Sequence, residues 1–174
     1  IPTSLQRIES SAFENCWLLK TNPLVFPEGF EKLEERAFIN CSELKGSVVL
    51  PSTIKEIGAL AFYLSKITSI NFPEGLEEIG NEAFRGCRLK EVAISNPNII
   101  WPGESQFGYN FKLEKISLPE EMTYIPPRFL ECCIELKDFR IPSDVKVIKS
   151  GAFNECYNLQ KLYLLLVDYQ YYTF

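Results

Sequence analysis

The residues of this chain that could do chemistry are its six cysteines and its grouped glutamates, because the sequence contains no histidine. The missing imidazole excludes Ser-His-Asp and Cys-His nucleophiles, zinc or haem sites with a His ligand, and imidazole-based pH switches. No C-x-x-C pair occurs, which argues against zinc. No His and no Lys/Arg cluster adjoins Cys132-Cys133 to activate a thiol. We therefore expect no catalytic cysteine and no metal site.

The glutamates allow a second chemistry, since a pair of carboxylates can hydrolyse a glycosidic bond. A catalytic pair occupies one place, whereas these glutamates recur at similar offsets after several prolines, which favours a solvated surface. No Asp-x-Asp-x-Asp-Gly calcium loop, Gly-x-Gly-x-x-Gly motif or P-loop is present. We therefore predict a protein that is not an enzyme and has no cofactor. The glutamates are Glu28, Glu31, Glu34, Glu35, Glu74, Glu77, Glu78, Glu82, Glu120 and Glu121.

The composition narrows the class of protein further. The 174 residues carry 18 Lys and Arg against 23 Asp and Glu, and 46% are hydrophobic, so a packed core is expected and a nucleic-acid partner is not. The apolar run Leu164-Leu165-Leu166-Val167 is far shorter than the ~20 residues of a spanning helix, so this segment should not insert into a membrane. The chain opens on Ile1-Pro2, partway through a repeat, and we expect it to be a fragment of a longer protein or a chain whose earlier residues were removed.

An internal repeat explains most of the sequence. An Ala-Phe pair or a substitute for it recurs every 22 to 25 residues, with a proline eleven residues before most pairs and a small residue three residues after each Phe position. The Phe position is held by Phe13, Phe38, Phe62, Phe84, Phe107, Leu130 and Phe153. The prolines are Pro2, Pro27, Pro51, Pro73, Pro119 and Pro142. The small residues are Cys16, Cys41, Ser65, Cys87, Asn110, Cys133 and Cys156.

Each repeat predicts one coil of a stacked array. Alternating apolar residues before the proline, as in Ile70-Asn71-Phe72-Pro73, predict a short strand that the proline ends. Apolar residues three and six positions after the proline predict a returning side, as a second very short strand. Residues 58–63 predict one or two helical turns, with Phe62 filling the centre of the coil. Coils of this kind bury their apolar columns against neighbouring coils.

The small-residue position predicts a buried ladder that contains five of the six cysteines. A free cysteine behaves there as a small buried hydrophobe. Disulfides between neighbouring rungs, Cys16 with Cys41 or Cys133 with Cys156, remain an alternative. Cys132 is predicted to be an additional cysteine in a turn.

Residues 50–62 and 72–87 resemble the BspA-like, Treponema pallidum-type leucine-rich repeat family, because proline, Ile-Gly, Ala-Phe and Cys stand at that family's offsets. The resemblance implies a β-rich α/β solenoid: a right-handed superhelix of about seven ~23-residue units, with a parallel sheet of short strands and short helical turns. It also implies a secreted or cell-surface protein that contacts host proteins or other cells. The fifth unit departs from the pattern, with Ser95, Gln106 and Asn110 in the proline, Ala and Cys positions.

We predict one array over residues 1–165, followed by a C-terminal tail or cap at 166–174. An array must cover its last apolar cross-section, and the tail is rich in aromatic residues suited to that task. These residues are Tyr169, Tyr171, Tyr172 and Phe174.

Outward-pointing strand positions form the candidate protein-binding face, since the sheet of a solenoid is its usual binding surface. The alternatives are an ordinary solvated sheet, in a spacer segment of a longer surface protein, or an exposed aromatic loop at residues 101–109. In that loop Trp101 is favoured as a plug for the shortened returning strand. The sequence does not indicate an oligomeric state. The positions form two rows along the sheet, and the candidate residues are Asn71, Ser117, Arg140 and Tyr163 in one row and Glu91, Lys115, Asp138 and Lys161 in the other.

Overall fold

The computed structural model describes residues 1–164, which wind into about seven stacked coils of roughly 23 residues. Each coil contains short strands, and every pair of bonded strands is parallel. Within residues 1–164 no helix has the length and apolar character that a membrane crossing requires. The strands are β1 (Arg7–Ile8), β2 (Leu24–Val25), β3 (Lys32–Leu33), β4 (Lys45–Val49), β5 (Glu56–Ile57), β6 (Lys66–Ile70), β7 (Glu78–Ile79), β8 (Glu91–Ala93), β9 (Lys115–Ser117), β10 (Tyr124–Ile125), β11 (Asp138–Ile141), β12 (Val147–Ile148) and β13 (Lys161–Leu164).

The strands lie on two sides of the coil. The strand face contains the strands that precede the proline position, in the bonded groups β2-β4-β6, β8-β9 and β11-β13. The return face contains the two-residue strands, in the groups β1-β3-β5-β7 and β10-β12. The predicted second short strand is therefore confirmed. The predicted boundary at residue 165 and the proposed cap at 166–174 lie outside the described residues.

The predicted helical turns, and with them the α/β class, are wrong. Leu60 and Leu64, two residues either side of Phe62, have φ angles of 57° and 56°, in the left-handed region that an α-helix excludes. The backbone N–H groups of Leu60, Phe62 and Leu64 donate to carbonyl oxygens of residues 81–85 in the next coil at 2.8–2.9 Å. This turn edge is therefore a ladder of tight turns bonded between coils, and no helix occurs among residues 1–164.

A column of phenylalanine rings fills the centre of the first five coils. Neighbouring rings are stacked with centroids 5.0, 5.5, 5.7 and 5.4 Å apart along the series Phe13, Phe38, Phe62, Phe84 and Phe107. In the sixth coil the Phe position is Leu130, as predicted, and it is fully buried. Phe129, in the preceding Ala position, closes the column by packing edge-on against Phe107 at 5.3 Å.

The return face brings backbones into direct contact, which explains the glycine after Ile57 and after Ile79. A Cβ atom on Gly58 would lie 2.6 Å from the carbonyl carbon of Glu34. A Cβ atom on Gly80 would lie 2.4 Å from the backbone nitrogen of Ala59. Only glycine fits at these positions, because neighbouring coils approach more closely there than any side chain allows.

The irregular fifth coil is filled by an indole, as favoured for Trp101. Trp101 is buried and packs edge-on against Phe129 at 5.3 Å and against Phe107 at 6.3 Å. It occupies the space beneath a returning segment that makes a single isolated bridge, Glu78 with Ile100. Trp101 therefore contributes to the core, and the aromatic surface of this loop consists of the half-buried Tyr109, with the exposed Phe111 beside it.

Candidate protein-binding face

The cysteine ladder is a hydrogen-bonding column. The Sγ atoms of Cys41 and Cys87 donate to the backbone oxygens of Phe13 and Phe62, both at 3.1 Å. Later coils repeat the bond. Asn110, which stands in the same position, donates to the oxygen of Phe84 at 2.8 Å. The expected buried small residue is confirmed from the second coil onward, and in most of these coils its side chain also donates to a backbone oxygen of the preceding coil. Ser65 is the exception, because its hydroxyl bonds to the Sγ of Cys87 at 3.3 Å.

No cysteine among the described residues forms a disulfide, so neither of the alternative pairs is bonded. Burial raises the pKa of the Cys87 thiol to about 12 and the pKa of Cys41 and Cys156 to about 11. Burial, together with a hydrogen bond to the Glu155 carboxylate, also raises the pKa of Cys132. These thiols stay protonated at neutral pH and are poor nucleophiles.

Native thiol labelling should follow this order. At pH 8 we expect a thiol-specific disulfide reagent to modify about one cysteine per chain quickly, the half-buried Cys16, because only a thiolate at an accessible site reacts. The buried thiols of Cys41, Cys87 and Cys133 should react only after unfolding in guanidinium, where all become accessible. Mass spectrometry of quenched samples identifies the labelled positions. Fast native labelling of three or more cysteines would contradict this structure.

The glutamates that follow the prolines lie at the surface or half-buried, and several are ion-paired. Lys55 pairs with Glu77 at 2.9 Å on the return face, and Arg140 pairs with Glu120 at 2.8 Å beside the strand face. Within residues 1–164 no group of three or more Cys, Asp or Glu side chains is arranged to hold a metal ion.

The candidate residues occupy two outward-pointing positions of the repeat on the strand face, and all eight are exposed. Strand pairing places Glu91 beside Lys115 and Asp138 beside Lys161. We call these four residues the charged row. The same pairs of strands place Ala93 beside Ser117 and Arg140 beside Tyr163, and we call these four the second row.

Asn71 has a different role from the other candidates. Its amide accepts a hydrogen bond from the Leu50 backbone N–H at 2.8 Å and donates one to the Leu50 backbone oxygen at 2.9 Å. The side chain thus extends the strand ladder by one step between β6 and β4. Asn71 belongs to the fold of the strand face, and its amide is already engaged.

A break in the sheet brings five of the candidates around one groove. No backbone hydrogen bond joins β9 to β11 in the described chain, and a groove of about 440 Å³ opens between them. Ile116, Leu118 and Pro142 contribute apolar surface to it. We call this break the seam. The candidates that line the groove are Lys115, Ser117, Asp138, Arg140 and Tyr163.

The seam lies where the irregular fifth coil, counted from the proline position at Ser95 through β9, meets the sixth coil, counted from Pro119 through β11. The backbone bonds that still join the fifth and sixth coils lie on the turn edge, from Ser105, Phe107 and Tyr109 to residues 127–131 at 2.6–3.2 Å. Residue patterns on single strands do not predict the groove. The departures from the repeat at Ser95, Gln106 and Asn110 indicate only that the fifth coil is irregular.

The same repeat is recognised when the chain is compared with known proteins. The family model described as BspA type Leucine rich repeat region matches residues 1–98 and 46–160 and finds six copies. A leucine-rich repeat protein from Bacteroides ovatus is 32% identical, with a TM-score of 0.82 over 91% of this chain. This chain spans 40% of the length of that protein. A search of curated proteins finds no match.

Two more distant structures share the fold. The Treponema pallidum leucine-rich repeat protein is 22% identical, with a TM-score of 0.75 over 91% of this chain and 76% of its own. A leucine rich cell surface protein from Faecalibacterium prausnitzii is 15% identical, with a TM-score of 0.54 over 93% of this chain and 64% of its own. Since the family model covers nearly all of the repeats, the chain belongs to the BspA-type leucine-rich repeat family.

Proposed function

We propose that this chain is a non-enzymatic protein-binding module that engages a host or cell-surface protein through the strand face at the seam. The groove between β9 and β11 carries the proposal, because five exposed polar residues from three strands surround an apolar floor there. An apolar centre with a polar rim is the usual anatomy of a protein interface. Arg140 and Tyr163 are of the residue types most often found at binding hot spots.

The proposed location is the cell surface or the extracellular space. It is supported by the family and by the Faecalibacterium prausnitzii relative, which is a cell surface protein. Adhesion follows as the proposed purpose of binding at such a surface.

The test uses the double variant Arg140→Ala/Tyr163→Ala. The wild-type chain is immobilised and exposed to biotinylated surface proteins of epithelial cells and of bacteria, and retained proteins are quantified. We expect the double variant to lose the retained proteins while its melting temperature stays within about 2 °C of wild type, since both side chains are exposed and their loss costs little stability.

The matched control is Lys55→Ala/Glu77→Ala, which removes an exposed ion pair of the return face and should leave retention unchanged. Equal retention by both double variants would overturn the proposal. Retention of nothing by the wild type, together with no self-association, would favour the alternative, a spacer segment without a binding site of its own.

A further inference from the structure

The charged row alternates in sign across four neighbouring strands. It reads Glu91, Lys115, Asp138 and Lys161, from β8 through β9 and β11 to β13. The order of signs is therefore minus, plus, minus, plus. When this order is reversed, every position carries the opposite charge, so the row can pair with a reversed copy of itself.

The four charged side chains of this row are unpaired within the described residues 1–164. None of them makes an ion pair or a side-chain hydrogen bond there, although each has an opposite charge on a neighbouring strand. The neighbouring Arg140, by contrast, is paired with Glu120 at 2.8 Å. The charged row thus presents four exposed charges of fixed order to whatever covers the face.

We infer that the partner at the seam is a second copy of this chain, related by a two-fold axis that lies midway between the two facing strand faces. The axis runs along the strands, midway between β9 and β11. Rotation about it reverses the order of the strands and keeps their direction. Glu91 then faces Lys161 of the second copy, and Lys115 faces Asp138 of the second copy, so that four opposite-charge pairs form. Self-complementarity of this kind is what a two-fold interface requires.

The second row fits the same axis by size. Ala93 would face Tyr163 of the second copy, and Ser117 would face Arg140 of the second copy. Each contact joins a small side chain to a large one, as two packed sheet faces need in order to interdigitate at a spacing of ~10 Å. The charges of the charged row and the side-chain sizes of the second row therefore favour the same arrangement, independently of each other.

The alternation also disfavours neighbouring arrangements. With the axis on β9 instead of the seam, Lys115 would face its own copy and Glu91 would face Asp138 of the second copy, so every pair would repel. With the axis on β11, Asp138 would face its own copy and Lys115 would face Lys161. Repulsion in the shifted arrangements is the device by which interfaces fix their partner and alignment.

The overlap spans four strands at a spacing of ~4.8 Å, which is small for a protein interface. Total buried areas below ~1,200 Å² are typical of weak and transient complexes. We therefore expect a weak dimer that depends on concentration and on salt. This inference rests on the proposed function, because it names the partner of the same face.

Sedimentation velocity on charge-reversed variants tests the inference. Wild type should dimerise between about 10 μM and 1 mM at low salt. The dissociation constant should rise roughly tenfold or more in 1 M NaCl, where the screening length is ~3 Å. Lys115→Glu and Asp138→Lys should each be monomeric alone, because like charges then meet at the axis. An equimolar mixture of the two should dimerise again, since Glu at position 115 of one chain then faces Lys at position 138 of the other.

Lys146→Glu, an exposed charge reversal on the return side, is the control and should dimerise as wild type does. Unchanged melting temperatures show that the variants fold. A wild type that stays monomeric up to about 1 mM, or single variants that dimerise normally, or a mixture without rescue, would overturn the inference. If the wild type is monomeric but still retains other proteins through Arg140 and Tyr163, the proposed function stands and the second copy is not the partner.

Discussion

Phe84→Ala should lower the free energy of unfolding by about 3–5 kcal/mol, the range for removal of a buried aromatic side chain. The Phe84 ring is fully buried and stacks between Phe62 at 5.7 Å and Phe107 at 5.4 Å, with Phe72 edge-on at 5.7 Å. Because each coil rests only on its neighbours, the cavity would interrupt the column at the fourth coil and weaken both junctions. Chemical denaturation followed by circular dichroism gives the change.

Phe111→Ala is the matched control, since the Phe111 side chain is 48% exposed and its ring contacts the ring of Tyr109. It should cost less than about 1 kcal/mol. If Phe84→Ala were no more destabilising than Phe111→Ala, the assignment of the phenylalanine column as the centre of the coils would be wrong.

Gly80→Ala should cost about 3 kcal/mol, toward the upper end for overpacking, because the new methyl group meets backbone. Its Cβ would lie 2.4 Å from the Ala59 nitrogen and 2.7 Å from the Gly58 carbonyl carbon. A side chain could rotate away from such a contact, but the backbone of the third coil is held by its own ladder. The Gly80 N–H also donates to the Ile57 oxygen at 2.8 Å, and separating the coils would lengthen that bond.

Gly29→Ala provides the comparison. Gly29 has a φ of 89° and no atom within 4 Å of an added Cβ, so alanine there carries only the cost of a left-handed backbone, about 1–2 kcal/mol. Hydrogen exchange separates the two effects. Gly80→Ala should speed exchange of amides that join the third and fourth coils, and Gly29→Ala should leave them protected. Equal protection in both variants would contradict the close approach of the coils.

The alignment of the coils could be predicted from sequence because each column is fixed by side chains that recur at one offset. The pairs Arg140 with Tyr163 and Glu91 with Lys115, predicted as neighbours within their rows, are opposite each other in the bonded strands. Period-2 alternation decides which face a strand residue takes, and the proline position decides where the strand ends. Binding at these rows remains a prediction.

The turn edge could not be predicted in the same way. Residues 58–63 resemble helical turns because apolar side chains recur there at short intervals. The left-handed conformation of Leu60 is intrinsically unfavourable by about 1–2 kcal/mol, and it is retained because its N–H bonds to Asn81 in the next coil. A bond between coils is a property of the stack, and no local pattern records it.

Phe129 and the seam were missed for a related reason. Phe129 stands where the repeat has alanine, and its place in the core depends on Trp101, 28 positions earlier in the chain. The departures at Ser95 and Gln106 marked the fifth coil as irregular. They did not show that the irregular coil would leave the strand ladder open between β9 and β11.

The seam makes the rod mechanically uneven. Elsewhere in the described chain, each coil is tied to the next by backbone bonds on the strand face and the return face, whereas the fifth and sixth coils are joined by turn-edge bonds, aromatic contacts and the bond from Cys133 to the Phe107 oxygen. Under tension along the solenoid axis, these few bonds carry the load at that junction. The array would then extend as two stiff segments around a compliant joint. For a protein that holds a partner under shear, the joint lies beside the groove that forms the candidate binding site.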